Sequence, residues 1–326
     1  MPSLAVVRES NAKFSPPTTP VAIFLGGTSG IGQGTAQTFA RHVKGNAHII
    51  LVGRNRAAAE AIIATFPKAP NSKYEFVYCD ASLIRNIPET TSALLARLPK
   101  VNYLVLSSGA LPSLWDAIRG IEHRTEEDID RLRAVLFYCR TKFVLDLLPL
   151  LQKARDAGED ARVLNVGAAG HGGPINFNDM GMRQTSGVLK KRGIAVTYLD
   201  SVMEVSVHAP SSGSRPNTIM QIFASRVPGA MFSHIYPGLV DTPLLPWLVR
   251  ILGKPFATSI DDCGEYMLYA LLNGGAGAPR QGEHGDDLGQ VGYYGGDEVR
   301  ERVWAHTTEV IEKALAAGSA KSGVNV

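Results

Sequence analysis

Val21-Ala22-Ile23-Phe24-Leu25-Gly26-Gly27-Thr28-Ser29-Gly30-Ile31-Gly32 decides the fold. The run Val21–Leu25 is apolar and short, as a strand buried on both faces must be. Glycines at 26, 30 and 32 follow at once, and a segment of helical period, about Ile31–His42, comes after them. In a strand, glycine turn and helix so ordered, Gly26 lets the chain turn tightly and Gly30 lets backbone approach a pyrophosphate. Gly32 lets the helix pack against the strand. The helix N-terminus offers free N–H groups and the positive end of a dipole to an anion. A glycine triplet alone is weak evidence; the strand before it and the helix after it make this one specific.

The same rhythm continues outward. Further strands are expected at His48–Val52, Tyr74–Tyr78, Asn102–Leu106, Arg162–Val166 and Met231–Ile235, with a seventh near Gln290–Tyr294. Helices are expected at about Arg56–Thr65, Leu83–Leu98, Glu126–Gln152, Ile260–Leu272 and Asp297–Ala316. This alternation predicts an α/β Rossmann fold, a doubly wound parallel seven-stranded sheet flanked by helices. Residues 1–20, with Pro16, Pro17 and Pro20, read as an N-terminal arm. No Pro/Gly/Ser-rich linker divides 21–326, so it reads as one domain. Two stretches break the rhythm: the glycine-rich 167–193, and His208–Asn217, whose Pro210 and Pro216 interrupt a helix expected between Thr197 and Ser225.

Composition narrows the partners. The net charge of +3 is spread along the chain, which argues against nucleic acid. Cys79, Cys139 and Cys263 form no CxxC pair, so neither a disulfide framework nor a zinc site is expected, and a reducing, cytoplasmic location is. No apolar leader marks the first 20 residues and no run of about 18 apolar residues follows, so no membrane span is expected.

The second strand runs into Gly53-Arg54-Asn55. A site for NAD tends to place an acid here to accept from the ribose 2′-hydroxyl. Arg54 instead offers a guanidinium fork that grips a 2′-phosphate, so the expected cofactor is NADP(H).

Gly26-x-x-x-Gly30-Ile31-Gly32 resembles the glycine motif of the short-chain dehydrogenase/reductase family, with Leu25 where the family usually has Thr. Cys79-Asp80-Ala81-Ser82 resembles the segment whose Asp holds the adenine amino group. Ser107-Ser108-Gly109 stands where the family usually has Asn-Ala-Gly. Pro237-Gly238-Leu239-Val240-Asp241-Thr242 resembles the turn that contacts the nicotinamide amide and its ribose. The resemblance therefore implies cofactor contacts from Gly26, Thr28, Ser29, Gly30, Ile31, Gly32, Arg54, Asn55, Asp80, Ala81, Ser107, Ser108, Gly109, Val166, Pro237, Gly238, Val240 and Thr242. It also implies association through two long helices, as a homodimer or a tetramer, although His208–Asn217 interrupts one of those helices here.

The family's catalytic residues match poorly. Its Ser falls on Ala168 or Gly167, and its Asn falls near Leu136. No Tyr in the right region has Lys four residues later. Tyr198, followed by Val202, is the Tyr whose order along the chain fits. Without that Lys its pKa stays near 10, so it serves as an acid and favours carbonyl reduction. Asn165, Tyr138, Arg140, His171 and Asp179 lie near the expected site without a matching role. Residues 242–258, TPLLPWLVRILGKPFAT, read as an apolar lid over a hydrophobic ketone, aldehyde or activated alkene. With Thr125-Glu126-Glu127-Asp128-Ile129-Asp130, the degenerate triad resembles fungal reductase-like members, many of which serve secondary metabolism. Two other readings stay open: a non-redox cyclase or isomerase that keeps NADP(H), and a non-catalytic NADP(H)-binding protein.

Overall fold

A computed structural model describes residues 1–109, 119, 121, 123–171, 176–180, 219–244, 250, 253–289 and 297–322. The first βα unit is β1 (Val21–Leu25) and α2 (Gly30–His42), preceded by a helix α1 (Leu4–Ala12). Then come β2 (His48–Gly53), α3 (Arg56–Ile63), β3 (Lys73–Tyr78), α4 (Ile87–Arg97) and β4 (Tyr103–Leu106). A short helical turn, Arg131–Arg133, widens into a π segment at Ala134–Tyr138 and continues as α5 (Cys139–Asp156). The chain closes with β5 (Arg162–Val166), α6 (Ile219–Arg226), β6 (Met231–Ile235), α7 (Ile260–Asn273), β7 (Arg280–Gln281) and α8 (Asp297–Ser322). All strand pairs are parallel, in the order β3-β2-β1-β4-β5-β6-β7. The order reverses between β1 and β4, and a crevice for a ligand opens at such a switch point.

Period-two alternation sends neighbouring strand residues into different cores. Ile23, Ile50 and Leu104 pack with Leu94, Phe143, Phe223 and Ile311 on the α4, α5, α6 and α8 side. Phe24, Leu51 and Val105 pack with Phe39, Ile62 and Met267 on the α2, α3 and α7 side. There α2 and α7 cross with backbone against backbone. A Cβ on Gly34 would stand 2.4 Å from the Ile260 carbonyl oxygen, and one on Gly264 would stand 2.6 Å from that of Gly34.

The structure departs from the sequence reading in three places. The expected N-terminal arm carries α1, capped by Ser3 and docked on α7. Val7 and Asn11, four residues apart, are both fully buried. The Asn11 amide donates to the Glu265 carbonyl (2.9 Å) and carboxylate (2.8 Å), which makes a polar side chain part of an interior face. Among the described residues the seventh strand of the sheet is Arg280–Gln281, and the expected Gln290–Tyr294 lies outside them. Its two polar side chains hid it, yet Gln281 is buried because it accepts from Ser233 (2.5 Å) and donates to the Ala270 carbonyl (3.1 Å). The long helix begins at Arg131 rather than Glu126. The Glu127 carboxylate caps the Ile84 and Arg85 amides (both 2.9 Å), and Asp130 caps Arg133 (3.0 Å), which holds the intervening segment out of the helix.

No helix among the described residues is long and apolar enough to cross a membrane, and these residues hold no group of metal-ligating side chains.

Burial alone would raise the pKa of Glu265. Hydrogen bonds from His42 (3.0 Å) and Asn11, the charge of His42, and a bond from Arg41 (3.1 Å) outweigh it and hold the carboxyl at about 2. A carboxyl whose folded pKa is depressed adds stability above its ordinary value of 4.5, and that stability is lost as pH falls toward 2. Glu265→Gln should therefore melt below wild type at pH 7, and thermal scans at pH 5, 4 and 3 should show the gap closing. A gap that is constant over that range would contradict this account.

Candidate active site

The glycine loop is built by close contact. Gly26 has φ +90° and donates its N–H to the Val52 carbonyl at the end of β2 (2.9 Å). A Cβ there would stand 2.4 Å from the Ser108 nitrogen, so only glycine permits the turn. A Cβ on Gly32 would stand 2.1 Å from Ser107 Oγ and 2.5 Å from the Gly26 carbonyl oxygen. Ser107 Oγ in turn donates to the Leu25 carbonyl (3.2 Å). The first turn of α2 thus lies directly on the ends of β1 and β4. Helices α1, α3 and α7 begin with a side-chain cap from Ser3, Asn55 and Ser259. Ser29, at the same position of α2, makes no cap bond. That end of the helix keeps its unsatisfied amides for an anion.

A cleft opens over this loop. Gly26, Thr28, Ser29, Gly30, Ile31, Arg54, Asp80, Ala81, Ser107, Ser108, Gly109 and Thr242 line it together, although they come from five separate segments of the chain. Arg54 Nη1 stands 3.9 Å from Asp80 Oδ1 with its side chain 56% exposed, close enough to be steered and loose enough to move. Asp80 Oδ1 also accepts from the Ser82 amide (3.0 Å) and hydroxyl (2.7 Å). Cys79 shares the wall, and burial pushes its thiol up, so it offers no thiolate.

The other expected contacts stand behind or beside the cleft. Gly32 packs beneath the loop. Asn55 caps α3 by accepting from the Ala58 amide (3.0 Å). The Val166 carbonyl accepts from Arg140 (2.6 Å). Gly238, with φ +72°, lies against the Glu283 carboxylate, and the Pro237 turn leads on to Val240, which bridges to Thr258. Arg250 donates to Asp241 (2.7 Å) at the base of the expected lid. Leu245, Trp247, Leu248, Ile251 and Leu252, and the candidate proton donor Tyr198, lie outside the described residues.

Pro243 and Leu244 of the expected lid line the cleft, and so do Arg131 and Val135, which sequence reasoning missed. Arg131 and Val135 are one helical turn apart, a spacing visible in the sequence. The loop that brings them to the cleft was not.

Below the mouth, a buried polar bracket joins three strand ends. Arg140 donates to Asn165 Oδ1 (2.7 Å), the Val166 carbonyl (2.6 Å) and the Ser108 carbonyl (2.5 Å). Asn165 also pairs with His234 across β5 and β6 (2.9 Å). Tyr138 turns away from the cleft toward His306 (3.2 Å). The rings of His171 and Tyr236, just past β5 and β6, meet at 4.4 Å. Asp179 is buried in a short turn after β5.

A parallel sheet with this strand order and an uncapped helix end on a glycine turn define a Rossmann fold. A family model described as short chain dehydrogenase matches residues 20–175. An oxidoreductase of Emericella nidulans is 30% identical over 286 residues, covering 83% of this chain and 77% of the relative. An oxidoreductase of Emericella variicolor is 30% identical over 280 residues, covering 82% and 74%. The crystal structure of NADPH-bound carbonyl reductase from chicken fatty liver superposes with a TM-score of 0.55 at 16% identity, covering 83% of this chain and 99% of that one, which shows the shared fold. The chain belongs to the short-chain dehydrogenase/reductase family of oxidoreductases, which use NAD(P)H.

Gly32→Ala tests the packing of the loop. The added methyl meets backbone as well as Ser107, so the fold should lose about 1–3 kcal/mol, read as a lower urea midpoint at unchanged m. An unchanged midpoint would mean that α2 can stand off from β4.

Proposed function

We propose that this chain is an NADP(H)-dependent reductase of a hydrophobic ketone, aldehyde or activated alkene. The observation that carries the reading is the guanidinium of Arg54 on the wall of the cleft, at the β2 end where a site for NAD tends to have an acid. The donor set fits the cofactor: the uncapped end of α2 for the pyrophosphate, Arg54 for the 2′-phosphate, and Asp80 for the adenine amino group. Pro237, Gly238, Val240 and Thr242 border the nicotinamide end in this reading. When bound, the cofactor supplies two electrons and a hydrogen to the carbonyl carbon. The residues of the chain orient the substrate, exclude water through the lid at 242–258, and deliver a proton to the carbonyl oxygen from the Tyr198 hydroxyl. With Val202 in place of a Lys, that phenol acts as an acid in reduction rather than as a base in oxidation.

A second reading has its own support. Gly167 and Ala168, at the end of β5, stand where the family's Ser would hold a carbonyl oxygen, and neither side chain can donate. This favours a non-redox cyclase or isomerase on the same scaffold, or a protein that only binds NADP(H). Product formed without loss of NADPH absorbance would select the non-redox enzyme.

Arg54→Ala should weaken NADPH by roughly 1.5–3 kcal/mol and leave NADH nearly unchanged. Calorimetric titration of both cofactors against both proteins checks it, and equal affinities in wild type would overturn the NADP assignment. Tyr198→Phe removes only a hydroxyl. Reduction of a responsive carbonyl compound should fall about 100-fold or more with NADPH affinity kept. Activity that survives the substitution would assign the proton to another donor.

A further inference from the structure

The segment from Arg124 to Arg140 carries three arginines besides Arg131 at the head of the long helix. Arg124 pairs with Asp128, Arg133 donates to the Met180 carbonyl, and Arg140 holds three acceptors beneath the cleft. Arg155, farther along the same helix, donates to the Glu159 carbonyl (3.0 Å). Arg131 differs from all of these. It is exposed, it lines the cleft, and its guanidinium has no hydrogen-bond or ion-pair partner among the described residues. A cation that faces a cleft without a partner is placed for a ligand rather than for the fold.

Its position follows from two anchors. The Glu127 carboxylate pins the preceding loop over the turn after β3, through the Ile84 and Arg85 amides. Four residues beyond Arg131, the Val135 carbonyl accepts from Ser108 Oγ at the end of β4 (3.4 Å). Arg131 therefore lies between the β3 and β4 walls, facing the cleft that Arg54 enters from the end of β2. Its neighbours in the lining, Ala81, Ser82 and Val135, offer small or apolar surface. The carboxylate of that region, Asp80, already accepts both Ser82 donors and faces Arg54. A flat cation beside a small apolar wall suits the face of a flat π system.

We propose that Arg131 closes the adenine subsite, with its guanidinium stacked on the purine ring while Arg54 takes the 2′-phosphate. This rests on the reading of the cleft as an NADP(H) site and adds to it a residue that recognises the base and is indifferent to the phosphate. The two arginines then have separable signatures. Arg54 selects between cofactors, and Arg131 raises affinity for any ligand that carries adenosine.

The test is calorimetric titration of wild type, Arg131→Ala, Arg131→Lys and Arg54→Ala with NADPH, NADH and 5′-ADP, with circular dichroism to confirm the fold. Arg131→Ala should weaken all three ligands by a similar factor, roughly 3- to 30-fold, the range of an exposed to a desolvated cation–π contact. Arg131→Lys keeps the charge without the plane and should recover only part of the loss. Arg54→Ala should affect NADPH alone. Loss of NADPH affinity in Arg131→Ala with NADH and 5′-ADP untouched would overturn stacking and make Arg131 a phosphate contact. No loss with any ligand, while Arg54→Ala still discriminates, would overturn the role of Arg131 and leave the cofactor reading standing. Failure of wild type to bind any of the three would overturn both.

Discussion

The contact of the first turn of α2 with the ends of β1 and β4 is the constraint on which the other features rest. Gly32 lies against Ser107 and the Gly26 carbonyl with no room for a methyl. That approach sets the axis of α2, and the axis decides two things at once. It aims an uncapped helix end into the crevice at the switch point, and it lays Gly34 on the far side of the helix against α7. Through α7 it also fixes Glu265, on which α1 is anchored. One glycine-lined crossing thus ties the geometry of the crevice to the packing of three helices. In a close-packed interior, a displacement of α2 could not be confined to the loop.

The two halves of the cleft are built differently. One half is made of backbone, small side chains and exposed guanidinium groups over the ends of β1, β2 and β3. The floor beyond it is held by side chains with no freedom, since Arg140, Asn165 and His234 are each nearly sealed from solvent. Hydrogen bonds to a charged group in such a place are stronger than surface ones, and breaking them leaves a buried charge. The bracket accounts for an arginine and an asparagine that a catalytic role would otherwise be sought for. They set the spacing of β4, β5 and β6, and so the frame in which any reacting group must work.

Much of this was legible in the sequence because its signals are local. The run Val21–Gly32 contains its own strand, turn and helix, and Arg54 and Asp80 each follow a recognisable strand. Where the reading failed, the decisive partner was far away in the chain. Polar Asn11 hid α1, because its burial depends on Glu265. Arg280 and Gln281 do not resemble a strand, because their burial depends on Ser233, Ala270 and the loop that follows. Glu126–Asp130 resembles the first turn of a helix until Glu127 finds the amides after β3. The same limit explains Arg131: its distance from Val135 is written in the sequence, whereas the side of the helix that faces the cleft is written in the packing.

The docking of α1 also bears on the order in which the chain is assembled. Asn11 and its carboxylate partner are 254 residues apart. Helix α1 therefore has no surface to settle on until α7 has been made, and at nine residues it is too short to persist in water alone. During synthesis the βα units can pair from β1 onward while this segment stays open, and its closure over α2 and α7 falls among the last steps. A helix that precedes every strand of the sheet in the chain thus acts as a late fastening across the finished domain.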